Sequence, residues 1–239
     1  MIPIVLIPGL LCSAEVFAPQ VAALWRYGPI TVASTLEGKT MAEIAAAILA
    51  TAPPRFALAG ISMGGHISLE IMRQAPERVI KLALLDTSAR ADTPEQVAQR
   101  RGLVAQARTG NFHSLVEQLM GVVLHPKQQN NAALREVFLR MSLTVGIDGF
   151  ARQQEAIIAR IDSRPSLAAI SVPTLVLVGD SDLLTPPDRA GSIPDHTISM
   201  FGQCLALTQE EFALRVVLTT FQGCAIGGRR IGRTTDPPQ

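Results

Sequence analysis

Gly60-Ile61-Ser62-Met63-Gly64 is the first stretch of the chain whose residue types and spacing could do chemistry. A serine hydroxyl attacks a carbonyl only once a base takes its proton, and the tetrahedral oxyanion that results needs N–H donors waiting for it. Glycines two before and two after the serine permit a tight, strained turn from strand to helix that lifts the hydroxyl above the strand end. The bland alternative is a glycine-rich capping turn around an inert serine; the position of the motif, after an apolar run and before a helical one, favours the nucleophile. In that reading the Met63 amide is one oxyanion donor. The Pro8-Gly9-Leu10-Leu11 turn, at the end of the first apolar run, offers the Leu10 amide as the second. Asp180 and Asp182 follow Gly179 at the end of another apolar run, where a carboxylate could orient a base. An aspartate in such a turn also caps backbone N–H groups with no catalytic role.

These residues meet only if the elements around them bring them to one edge. Residues 2–7, 29–36, 55–61, 79–86, 173–179 and 197–201 read as strands, several of them apolar throughout. Residues 41–51, with Thr40 as N-cap, and 63–75 have helical spacing. Continuously apolar strands alternating with amphipathic helices imply an α/β fold with a mostly parallel sheet covered on both faces. Between residues 93 and 161 the periodicity is helical only, broken at Gly110, at His125-Pro126 and near Gly146-Gly149. The expected division is a core of 1–88 and 166–222, a helical cap of 89–165 placed to cover a ligand crevice at the sheet's carboxyl edge, and a frayed tail of 223–239. A mere packing appendage is the other reading of the helical segment.

The composition closes off several classes. With 239 residues and 48% apolar types, a sizeable core is available. Lys and Arg total 21 against 20 acidic residues, so no basic field exists to hold nucleic acid. No stretch reaches the ~20 apolar residues that cross a bilayer. Leu10-Leu11-Cys12 has a faint likeness to a lipoprotein cleavage site, but no basic residue precedes the apolar run and Leu11 is not small, so export is not expected. Three cysteines, Cys12, Cys204 and Cys224, show neither a paired framework nor metal-ligand spacing, which suits a reducing compartment and a cytoplasmic location. No phosphate loop, dinucleotide fingerprint or His/Cys cluster implies a cofactor or a metal.

Taken in order, the PGLL turn, GISMGG elbow, LALLDTSAR strand end, helical insertion and PTLVLVGDSDLLTP segment resemble the α/β-hydrolase superfamily, in particular its small capped esterase-like members. The resemblance covers about residues 2–187. It implies a Ser–Asp–His triad in that chain order, with Ser62 as nucleophile, Asp182 as the acid, and Leu10 and Met63 as oxyanion donors. The family's histidine is expected between the last strand and the capping box of residues 208–211, where this chain has Gly202-Gln203. Gln203 can hold water but is not a base near neutral pH.

His196 stands seven residues before Gln203, roughly 20 Å from the catalytic edge at ~3.3 Å per residue. His66 reads as a packing or helix-surface residue, and His113 and His125 belong to the cap. The implied function is hydrolysis of a small ester, thioester or lactone, the apolar cap favouring an apolar acyl group. The alternative is an inactive homologue that binds a small molecule. A dehalogenase on the same scaffold would want a carboxylate at position 62.

Overall fold

The computed structural model describes residues 1–178 and the strand at 197–201. Six strands, β1 (Ile4–Ile7), β2 (Ile30–Val32), β3 (Phe56–Ile61), β4 (Val79–Leu85), β5 (Thr174–Val178) and β6 (Thr197–Phe201), form one sheet in the order β2-β1-β3-β4-β5-β6. Every pairing is parallel. The apolar runs that predict the strands are apolar on both faces because both faces are buried. Val5, Ile7, Leu58, Leu82, Leu84, Val176 and Val178 pack on α2 (Met41–Thr51) and α3 (Met63–Gln74). Their alternates Ile4, Leu6, Ala57, Ala59, Ala83, Leu85, Leu175 and Leu177 face Phe17 and Leu24 at the two ends of α1 (Ala18–Leu24).

Helix α1 is absent from the expected elements: seven residues make barely two turns, too few for periodicity to show. The second strand is shorter than residues 29–36. It is paired only with the four-residue β1, flanked by Ile4 N–H to Pro29 O and Ala33 N–H to Leu6 O at 2.8 Å each, and the chain then leaves the sheet. Thr40 does cap α2, its Oγ1 accepting from Glu43 N at 3.1 Å.

Between β4 and β5 lie α4 (Pro94–Thr109), α5 (Phe112–Val123) and α6 (Ala132–Ile158). Each break in helical periodicity has a structural counterpart. Gly110 ends α4, His125 opens a 3₁₀ turn after α5, and Gly146, at φ 68° and ψ 176°, kinks α6 without ending it. The three helices enclose their own apolar core around Leu115, Val116, Met120, Met141 and Phe150. One core residue comes from elsewhere: Leu11, from the turn after β1.

The base of the insertion is fastened by charge. Asp92, with its side chain 1% exposed, accepts from Arg100 Nε at 2.7 Å and Arg160 Nη2 at 2.8 Å, tying α4 to the end of α6. Desolvation would raise the Asp92 carboxyl pKa, but hydrogen bonds from Arg160 and Arg100 outweigh it and hold it below the usual carboxylate value. Removing one partner of such a cluster strands the opposite charge. Asp92→Ala is expected to cost about 3 kcal/mol of unfolding free energy at neutral pH by urea denaturation.

Candidate active site

Ser62 sits between β3 and α3 at φ 54° and ψ −115°, a conformation that L-residues rarely adopt. It is held there from several sides, as strained residues must be. Its N–H donates to Leu85 O at 2.8 Å, and its carbonyl accepts from Thr87 Oγ1 at 2.7 Å and Gly65 N at 2.9 Å. The glycines around it are required by space. A Cβ on Gly60 would stand 2.2 Å from Gly64 O, one on Gly64 2.1 Å from Ile7 O, and one on Gly65 2.4 Å from Thr87 Oγ1. The chain therefore passes from β3 into α3 directly against the end of β1.

That close approach brings the Pro8–Leu11 turn to the serine. A Cβ on Gly9 would lie 3.3 Å from the Ser62 Cβ, so the backbone at Gly9 borders the serine side chain. The turn closes with Cys12 N–H donating to Gly9 O at 3.2 Å, and Leu11 within it has φ 59°. Leu10 N–H has no hydrogen-bond partner among the described residues. Met63, as the first residue of α3, presents an N–H that no helical carbonyl can reach. The structure thus gathers Ser62, Leu10 and Met63 at one edge. The Cys12 thiol donates to Leu10 O at 3.4 Å, and burial pushes its pKa up to about 12, so it is no competing nucleophile at neutral pH.

Asp180, Asp182, His196 and Gln203 lie outside the described residues. The strand register shows only where the flanking chain leaves the sheet: Leu177 pairs with Leu85, Leu85 with Ile61, and Phe201 with Val178, all at the edge that carries Ser62.

The remaining histidines are otherwise engaged or exposed. His66, one turn into α3, has Nδ1 3.0 Å from Ser88 O and lines a cavity of about 160 Å³ with Met41, Arg73, Ser88 and Arg160. None of Ser62, Leu10 and Met63 lines that cavity. Desolvation, then the charges of Arg160 and Arg100, push the His66 pKa down to about 3, so the ring is neutral and the tautomer that donates from Nδ1 fits the Ser88 carbonyl. His125 Nδ1 accepts from Lys127 N at 3.1 Å, and His113 is exposed on α5.

A family model described as the alpha/beta hydrolase fold matches residues 37–208. The chain belongs to the α/β-hydrolase family. It is 24% identical over 203 residues to the biotin biosynthesis bifunctional protein BioHC of Cellvibrio japonicus, covering 80% of this chain and 40% of that one. It is 29% identical over 183 residues to the pimeloyl-[acyl-carrier protein] methyl ester esterase of Vibrio parahaemolyticus, covering 70% of this chain and 69% of the relative. The chain spans about two-fifths of the length of the bifunctional relative. In fold it matches a thermophilic esterase from Thermogutta terrifontis with a TM-score of 0.78 at 24% identity, over 92% of this chain and 89% of that one. Among the described residues, no group of three His, Cys, Asp or Glu could hold a metal, and no helix is long and apolar enough to cross a membrane.

Three further residues bear on the site without a sequence signal of their own. Thr87 anchors the Ser62 carbonyl; Gln153, on α6, accepts from Leu11 N at 3.1 Å and donates to Thr35 Oγ1 at 3.1 Å. All three are buried.

Replacing Thr87 by Val removes one hydrogen bond at nearly constant shape and is expected to lower unfolding free energy by about 1 kcal/mol, read by denaturant titration. His66 sets an acid limit. The unfolded chain takes up a proton there as pH falls through about 6.5, whereas the folded protein does not until about 3. The stability contributed by neutral His66 is therefore complete above that window and drains as pH falls through it. Its slope approaches about 1.4 kcal/mol per pH unit, and His66→Gln is expected to flatten it in unfolding measured from pH 8 to pH 4.

Proposed function

We propose that this α/β-hydrolase cleaves a small carboxylic ester, thioester or lactone through an acyl-enzyme on Ser62. The observation that carries the reading is the strained Ser62 backbone with the Gly9 turn packed against its side chain. Ser62 Oγ attacks the carbonyl carbon as its hydroxyl proton passes to water or to whatever base Asp182 orients, and the carbonyl oxygen takes the negative charge between the Leu10 and Met63 N–H groups. Collapse expels the alcohol or thiol, and water then attacks the acyl group to free the acid and restore the serine. Asp182 orients the base in this scheme, and the residues from β4 to β5 act as the cap.

The apolar side chains of Leu10, Leu11 and the insertion core favour an apolar acyl group. Ester chemistry in general is supported by the relatives, one named for the methyl ester of a pimeloyl-[acyl-carrier protein] and a structural neighbour from Burkholderia xenovorans for an enol-lactone. Near-neutral charge and the absence of paired cysteines in the sequence support a small-molecule partner and a cytoplasmic location.

A second reading rests on one specific feature. Gln203 occupies the position at which the family has its proton acceptor, and His66, His113 and His125 are committed or exposed as described above. Losing the histidine of a serine triad costs on the order of 10⁴ to 10⁶ in turnover. The inactive homologue that binds its ligand without turning it over is therefore the competing assignment.

p-Nitrophenyl butyrate separates the two. Release of p-nitrophenol by the wild-type protein is expected to exceed that of Ser62→Ala, and equal rates would end the enzyme reading. Gln203→His is expected to raise the rate by about 10² to 10⁴, the usual worth of a positioned general base. No gain would show that position 203 is not where the base belongs.

A further inference from the structure

Gln153 is the one insertion residue whose side-chain amide is spent on the turn beside Ser62. It lies on α6 beyond the Gly146 kink, is 1% exposed, and uses both ends of its amide. Oε1 accepts the Leu11 N–H at 3.1 Å, and Nε2 donates to Thr35 Oγ1, also at 3.1 Å, across sequence separations of 142 and 118 residues. Thr35 is itself buried, in the segment that follows β2. The Leu11 N–H has no other acceptor among the described residues, and Leu11 is one of three non-glycine residues at positive φ there. The other two, Ser62 and Asp86, end β3 and β4 at the same edge.

We infer that Gln153 is a positioning residue for the oxyanion hole, fixing the Leu10–Leu11 turn so that the Leu10 N–H faces the space in front of Ser62. The inference rests on the hydrolase reading above, in that Leu10 is taken as an oxyanion donor. The physical argument is one of determinacy. A leucine at φ 59° returns to an extended or right-handed conformation unless something holds it. Two strong contacts do so, the Leu11 side chain buried in the insertion core and the hydrogen bond from its N–H to Gln153, while the Cys12 thiol, a weak donor, adds a longer bond of 3.4 Å to the Leu10 carbonyl of the same peptide. The side chain alone leaves the peptide plane free to rock; the amide acceptor fixes that plane, and Thr35 fixes the acceptor. Because Leu10 and Leu11 are adjacent, a tilt of the Leu11 peptide is passed to the N–H before it. Donor placement matters most for the tetrahedral state, since an oxyanion hole is built for the oxygen after attack, not for the planar ester.

A boronic acid reads this geometry without turnover. Butylboronic acid adds to a serine hydroxyl: a bond forms from Oγ to boron, the hydroxyl proton goes to solvent, and the tetrahedral boronate carries the negative charge where the oxyanion would be. Its affinity is measured by calorimetry for the wild-type protein, Ser62→Ala, Gln153→Met and Thr35→Val, with circular dichroism confirming each fold. The expected result is binding that requires Ser62, weakened at least tenfold in Gln153→Met and about threefold in Thr35→Val, the size expected for losing or loosening one buried hydrogen bond. With p-nitrophenyl butyrate, kcat of Gln153→Met is expected to fall in parallel, with KM within threefold of wild type, a split that a general loss of packing does not produce.

Wild-type boronate affinity in Gln153→Met overturns the inference and leaves the hydrolase reading standing. If Gln153→Met does not fold, unchanged affinity in Thr35→Val overturns it instead. Boronate binding that is absent from the wild type or indifferent to Ser62→Ala overturns the reading of the site itself.

Discussion

The edge of the sheet depends on one contact: the backbone of α3 at Gly64 pressed against the carbonyl that ends β1. With only 2.1 Å between a Gly64 Cβ and Ile7 O, no side chain fits, and the first turn of α3 lies directly on the neighbouring strand. The strain at Ser62 follows. A chain that must reverse from β3 into a helix this close to β1 has no room for an ordinary cap, and the serine takes a positive φ that hydrogen bonds from Thr87 and Gly65 and to Leu85 sustain. Such a conformation costs about 1 to 3 kcal/mol, and a single surface turn would relax it; here the packing of two strands and a helix over-determines it.

The turn after β1 is shared between two bodies. Its backbone belongs to the sheet edge, while the side chain of Leu11 belongs to the apolar core of the three-helix insertion. Burial of a leucine contributes about 2 kcal/mol, comparable to the strain of its own backbone, so the insertion stabilises a conformation that the sheet alone would not hold. Arg140 of α6, on Glu15 at 2.7 Å, adds an exposed ion pair near the same turn, worth little by itself. The insertion therefore helps set the backbone of the turn that borders Ser62.

Much of this was legible in the sequence, for definite reasons. The parallel sheet could be read from strands without polar alternation, and the elbow from glycines at positions where an added Cβ would stand only 2.1 to 2.4 Å from a neighbouring atom. The helical breaks were legible because Gly110, Pro126 and Gly146 act on the backbone locally. Helix α1 was not, being too short to display a period. Gln153 was not either: Arg152-Gln153-Gln154-Glu155 is a wholly polar run that reads as a solvated face, yet Gln153 and Gln154 are each 1% exposed. Their burial is set by partners more than fifty residues away, Leu11 and Thr35 for one and Arg100 for the other, and no local pattern carries that information.

The division of labour along the chain bears on what a glutamine at position 203 would change. The nucleophile and both candidate donors sit on β1, β3 and α3, within the first third of the chain, and their hydrogen bonds are made among themselves and to β4, its following turn and α6. In the proposed scheme, proton transfer belongs to residues 182 and 203, later in the chain. Exchanging an imidazole for an amide there removes a base without disturbing the glycine contacts, the strained serine or the Leu11 turn. Electrostatic stabilisation of an oxyanion is a property of fixed donors and does not require the base; it accounts for the ~10³ to 10⁴ of acceleration that survives when a triad is dismantled. On the proposed reading, a protein with this edge intact keeps its affinity for tetrahedral, negatively charged adducts of Ser62 even where turnover is slow.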